Sequence, residues 1–255
     1  FQAIFLRGLV SLPPLLILAF MTKRLLQKYS TKNQRLIIIR ILAEIGTTVT
    51  FLTALKHMPL ANVTAILQSL PLAITMAAAI FLGEPVGWRR WSAICVGFTG
   101  VLIIIRPGLA GFNSYSLLAL AAVILLTVRE ISTRQLDNMI PTVTVALSTT
   151  LGITAFAALM LIGNEWADIN FASLSLIIAA AAAVTVATLL SVVAMRTGDI
   201  GFVSPFRYTS LIGAIGLGIL LFGEWPDGIT LLGAAIIAFA GIYSLYREQI
   251  FNKNV

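Results

Sequence analysis

The sequence predicts an all-α membrane protein of two inverted five-helix repeats, the first repeat lacking its first helix, so that nine transmembrane helices are present. Three observations carry this reading. The apolar excess is too large for a soluble core, Lys and Arg collect on one side, and one stretch recurs at constant spacing.

Of 255 residues, 59% are hydrophobic and 11% charged, and the mean hydropathy is +0.99. Soluble domains carry about 25% charged residues. One core cannot hide so much apolar surface, so hydrocarbon is the expected solvent. A spanning helix takes about 20 apolar residues, which leaves room for roughly eight to ten spans. Apolar segments run approximately over 3–21, 36–55, 60–82, 91–105, 115–133, 141–162, 173–195, 200–222 and 229–246. Short loops join them, which favours antiparallel neighbours. The segment at 91–105 is short for a span and needs its flanks or a thinned bilayer.

The net charge of +7 reads as orientation rather than nucleic-acid binding. If the segments alternate, one side holds Lys23, Arg24, Lys28, Lys32, Arg35, Arg89, Arg90, Arg129, Arg134, Arg196, Arg247 and Lys253. The other side holds Arg7, Lys56 and Arg106, together with Glu165, Asp168, Glu224 and Asp227. Lys and Arg accumulate in cytoplasmic loops, which puts the C-terminus in the cytoplasm. Cys95, the single cysteine, excludes an intrachain disulfide and a thiolate metal cluster. His57, the single histidine, leaves little for zinc or general-base work. No metal or cofactor is expected. No basic region precedes the first apolar run, so no signal peptide is expected either.

The repeat begins in the stretch Ala54–Ile105. Ala54-Leu55-Lys56 recurs as Ala194-Met195-Arg196, and Val63-Thr64 as Val203-Ser204. Ile80-Phe81-Leu82-Gly83-Glu84 recurs as Leu220-Leu221-Phe222-Gly223-Glu224, at a constant offset of 140 residues. After one inserted residue, Gly87 maps to Gly228 and Phe98-Thr99-Gly100-Val101 to Phe239-Ala240-Gly241-Ile242. The second copy opens with the segment at 115–133, whose counterpart would fall before Phe1, so the complete protein is expected to have ten helices. Five helices per copy is odd, so the copies insert in opposite orientations. Inverted repeats are a transporter signature, with substrate bound near the bilayer midplane.

Phe5-Leu6-Arg7-Gly8, the paired Gly-Glu turns, and Gly97-Phe98-Thr99-Gly100-Val101 followed by Arg106-Pro107-Gly108 resemble the drug/metabolite transporter superfamily, EamA type. The resemblance covers nearly the whole chain. It implies an inner-membrane carrier, with a first EamA repeat at 1–108, truncated at its N-terminus, and a second at 114–248. The absent helix would help line the pathway in such carriers. FQAIFLRGLV, AEIGTTVTFLTALKHMPLANV and MRTGDIGFVSPFRYTSL further resemble an alphaproteobacterial branch that includes riboflavin carriers.

Ionisable groups inside spans face cavities or partners. Glu44 falls about eight residues into its segment and Arg207 about seven into its own, roughly 10–12 Å from the same side. They read as a pair, or as two ligands, lining a substrate cavity. The plainer reading bridges Glu44 to Arg40 one turn earlier. Gln68 has Tyr208 as its repeat counterpart, where inverted copies meet. Gln68 both donates and accepts, and Tyr208 stacks on planar ligands. A helix–helix hydrogen bond is the plainer role of Gln68. The expected substrate-binding residues are Glu44, Gln68, Arg207 and Tyr208.

Arg129 and Glu130 sit where long side chains snorkel, so a structural or interfacial placement is expected. Pro71, Pro205 and Gly213, Gly216 and Gly218 allow bends or close approach. Ala179–Ala183 reads as tight packing, His57 as a loop histidine, and Cys95 as packing. Trp88, Trp91, Trp166 and Trp225 fit an interfacial belt. The Gly-Glu turns read as hairpin closures.

The chain reads as a secondary transporter moving a small organic metabolite by alternating access, with uptake of riboflavin or a similar vitamin as the specific expectation. Export of amino acids or related metabolites is the alternative. A non-transporting scaffold or sensor would need a soluble domain that the sequence lacks, and a membrane enzyme would need clustered His or Asp/Glu. The expected partners are a small-molecule substrate and the bilayer, without nucleic acid. A homodimer is left open.

Overall fold

A computed structural model describes residues 1–21, 29–107, 113–163, 166–197, 209–223 and 225–253. In hydrocarbon no water satisfies backbone N–H and C=O groups, so each apolar segment must close its own hydrogen bonds as a helix. The helices run α1 Gln2–Met21, α2 Thr31–His57, α3 Leu60–Leu67, α4 Leu70–Phe81, α5 Trp88–Ile105, α6 Ser116–Arg134, α7 Thr142–Leu161, α8 Phe171–Thr197, α9 Thr209–Phe222 and α10 Gly228–Lys253.

Among the described residues, seven spans are long and apolar enough to cross a membrane, α3 and α4 together forming the one at Leu60–Phe81. α9 and α10 carry shorter apolar stretches, Ser210–Leu221 and Gly228–Ser244. The protein is therefore an all-α, multi-pass membrane protein. Boundaries differ from the sequence reading at several helix ends. α2 starts at Thr31 instead of 36, and α5 starts at Trp88, so its 18 residues make it longer than the short segment expected.

The third segment is one apolar run but two helices. Gln68 N–H is shared between the carbonyls of Thr64 and Ala65, at 3.1 and 3.2 Å, and Ser69 N–H reaches back only to Ile66, at 3.1 Å. Pro71 has no N–H to continue the ladder. The Ser69 hydroxyl donates to the Ile66 carbonyl at 2.7 Å and secures the break.

Both hairpin turns share one local geometry. Gly83 (φ 68°) and Gly223 (φ 66°) occupy the left-handed region, which glycine enters without a Cβ penalty. Gly87 precedes the first turn of α5, and Gly228 opens α10.

The chain divides into two compact units, each drawing helices from both halves of the sequence. The first comprises 1–45 and 132–197. There α1 packs on α7 so closely that a Cβ on Gly8 would strike Thr154. Leu15 and Ala19 meet Ala146 and Leu147 in one cluster, and Leu136, Ile140, Val145 and Val192 form another. At the base of this unit Asn33 donates to Asp137 at 2.5 Å. Arg196 donates to the Ile140 and Asp137 carbonyls at 2.6 and 2.8 Å.

The second unit comprises 46–131 and 198–255. Its tightest contact joins α5 to α10, where a Cβ on Gly100 would stand 2.8 Å from the Gly233 carbonyl. Arg106, after α5, pairs with Asp227, before α10. Trp88, Trp91, Trp166 and Trp225 are all exposed near helix ends. Cys95 is exposed rather than packed.

Candidate functional site

Glu44 is the central residue of the 27-residue α2. Because the helix begins at Thr31, Glu44 lies roughly 20 Å from either end, deeper than the segment bounds implied. It lines a pocket of the first unit with Arg7 and Ser11 of α1, Thr149 and Thr150 of α7, and Thr185 and Thr188 of α8. The free volume is about 30 Å³, room for one or two waters.

Arg7 is a correction. The sequence placed it among the charges of the outer face, but it belongs to the span of α1 and shares the pocket with Glu44, whose carboxylate acts on it electrostatically. Arg7 and Ser11 lie four residues apart, on one helix face.

Arg40, one turn before Glu44, is 1% exposed. Its Nε donates to the Thr149 hydroxyl at 3.2 Å, and its Nη1 donates to the Thr133 hydroxyl. The Thr149 hydroxyl in turn donates to the Val145 carbonyl at 2.9 Å. The wall of the pocket is thus tied to a buried guanidinium behind it.

Gln68 belongs to the second unit, at the break between α3 and α4. It is buried, and its Nε2 donates to the Ser210 hydroxyl of α9 at 2.9 Å. Arg207 and Tyr208 lie outside the described residues, as do Pro205 and Glu224. Glu130 has a structural placement: it is 0% exposed and accepts a hydrogen bond from Arg129.

His57 ends α2 as part of a joint. Its Nδ1 donates to the Thr53 carbonyl at 2.9 Å, its ring stacks on Tyr115 at 3.9 Å, and Asn113 donates to its carbonyl. Asp227 lies outside the spans. The Thr230 hydroxyl and then the Arg106 guanidinium hold its carboxyl below the usual carboxylate range, against the opposing effect of burial. Burial lowers Arg196 below the usual guanidinium range. Among the described residues, no group of three or more His, Cys, Asp or Glu could hold a metal ion.

Sequence reasoning missed Arg7 and the threonines. The signal was present in the helical spacing of Arg7 with Ser11 and of Thr185 with Thr188, but threonine is common enough in spans to pass unremarked.

Residues 1–106 match the EamA-like transporter family. A riboflavin transporter of Vibrio cholerae is 30% identical over 200 residues, covering 78% of this chain and 67% of that protein. The chain belongs to the EamA-like transporter family. A riboflavin transporter of Rhizobium johnstonii is 28% identical, over 82% of this EamA-like chain and 69% of its own length. An S-adenosylmethionine uptake transporter of Rickettsia bellii is 27% identical, over 75% and 65%. The chain thus spans about two thirds of the length of these curated relatives. One solved crystal structure, 21% identical, superposes on 95% of this chain and 84% of its own with a TM-score of 0.66, a likeness of fold.

Proposed function

We propose that this chain works as a secondary transporter, moving a small organic metabolite across the bacterial inner membrane by alternating access. The observation that carries the reading is the opposed charge pair Arg7 and Glu44, set in a polar pocket walled by α1, α2, α7 and α8. Charged groups within spans mark substrate or ion pathways, and the family is one of transporters. The sequence holds no phosphate-cradling glycine motif, so a gradient, an exchanged solute or downstream metabolism supplies the energy. The halves 1–108 and 114–248 act as inverted repeats that rock about the site, with the C-terminus in the cytoplasm. Glu44, Gln68, Arg207 and Tyr208 remain the proposed substrate contacts, and Arg7 joins them.

Uptake of riboflavin or a similar vitamin is the first substrate reading, supported by the riboflavin transporters at 28% and 30% identity. A metabolite bearing an amino-acid group is the second. The charged pocket favours it, and the relatives include S-adenosylmethionine uptake transporters and a pseudopaline exporter of Pseudomonas aeruginosa. Labelled riboflavin uptake by auxotrophic cells tests the first reading. Uptake should exceed that of vector controls and disappear with Glu44→Gln. No uptake despite correct membrane insertion removes riboflavin. Failure of every metabolite to exchange across proteoliposomes removes transport itself.

A further inference from the structure

The polarity of the pocket is set by where its hydroxyl hydrogens go. The Thr185 hydroxyl donates to the Ala181 carbonyl at 2.7 Å, and the Ser11 hydroxyl reaches the same carbonyl at 3.4 Å. Thr149 donates to Val145 at 2.9 Å. A hydroxyl has one hydrogen and two lone pairs, so with the hydrogen directed at the backbone each presents only acceptor capacity. Thr149 gives part of that capacity to Arg40, while Ser11 and Thr185 line the same pocket as Glu44. This wall is matched to a group with several N–H donors. Arg7 is the cation among the lining residues, and its planar fork suits a carboxylate.

We infer that this pocket takes the ammonium–carboxylate head of a zwitterionic solute, the carboxylate at Arg7 and the ammonium between Glu44, Ser11 and Thr185. The inference rests on the transport reading and names its substrate class.

Charge conservation supports the assignment. Among the lining residues Arg7 and Glu44 carry opposite charges. With a zwitterion bound, four charges form two pairs and the net charge is unchanged. Empty and loaded carriers then reorient with the same charge, whereas adding a lone charge in hydrocarbon is costly. A neutral ring system would have to separate the pair and satisfy neither member.

The test is ligand-induced thermal stabilisation of the purified protein in lipid nanodiscs. The probes are the standard L-amino acids, S-adenosylmethionine and riboflavin, followed by the methyl ester and the deaminated acid of each zwitterion that binds. The expected result is that at least one zwitterion raises the Tm. Its ester and its deaminated form should bind at least tenfold more weakly to the unmodified protein, a comparison independent of any variant's folding. Arg7→Gln and Glu44→Gln should each abolish the shift, while Arg7→Lys and Glu44→Asp retain part of it. The inference is overturned if no zwitterion binds, or if binding ignores the loss of either charge on ligand or protein. Riboflavin binding without zwitterion binding overturns the head-group assignment and leaves transport standing.

Discussion

The Nε of Arg40 donates to the Thr149 hydroxyl at 3.2 Å, and that threonine stands in the wall of the pocket holding Glu44. A guanidinium buried to 1% exposure depends on such acceptors. Thr149→Val keeps the shape and removes the acceptor. A hydrogen bond to a charged group contributes about 1.5–3 kcal/mol, so the variant should melt a few degrees lower. Solute affinity should fall as well, while Thr149→Ser should restore both. An unchanged melting temperature in Thr149→Val would show that Arg40 is held by other groups.

Gly8 and Thr154 set the approach of α1 to α7. An added methyl at Gly8 meets the threonine side chain directly, and overpacking costs about 1–3 kcal/mol. Gly8→Ala should therefore destabilise the first unit, and Thr154→Ala in the same chain should recover part of the loss. A double-mutant cycle in thermal unfolding reads the coupling. Strictly additive effects would mean that the two helices separate rather than collide.

The Gln68–Ser210 hydrogen bond joins the broken helix to α9. Interhelical bonds of this kind contribute about 0.6–2 kcal/mol. Gln68→Leu should lower the melting temperature slightly. It should cut transport far more if Gln68 also touches solute, so the ratio of the two effects separates a strut from a ligand.

Arg106 and Asp227 predict an acid-side dependence. The Asp227 carboxyl titrates below its usual value. Its contribution is therefore complete above the unfolded value, near pH 4, and disappears as pH falls through the lowered folded value. The pair is partly exposed, so the contribution is at most about 1 kcal/mol and shrinks with salt. Asp227→Asn should flatten the acid limb of a Tm-against-pH curve. An acid limb identical to that of the unmodified protein would place the titration elsewhere.

The fold was legible because hydrocarbon admits so few backbone solutions. Apolar runs had to be helices, and the Gly83 and Gly223 turns, paired by spacing alone, adopt one backbone conformation. The break at Gln68-Ser69 was less legible, since nothing in the apolar pattern around Pro71 separates a bend from an interruption. Glu44 was legible because a carboxylate within a span stands out against its neighbours. Arg7 was not, because it lies five residues after the start of α1 and read as a flank. Glu130, near the end of α6, read as structural or interfacial without a choice between the two. In both cases burial is decided by the neighbouring helix, which the local sequence does not record.

The charges that furnish the pocket also constrain how the protein reaches the membrane. A lone Arg at the centre of a span costs about 2.5–3.5 kcal/mol to insert, and α1 carries Arg7 without an acidic residue of its own. α2 carries Arg40 and Glu44 on one face. Segment α1 should therefore partition poorly by itself and enter lipid more readily in company with α2, so that its biogenesis is a paired event. Glycosylation mapping of α1 with and without Glu44→Gln in the following segment would show whether the carboxylate that serves the carrier also serves as its chaperone during insertion.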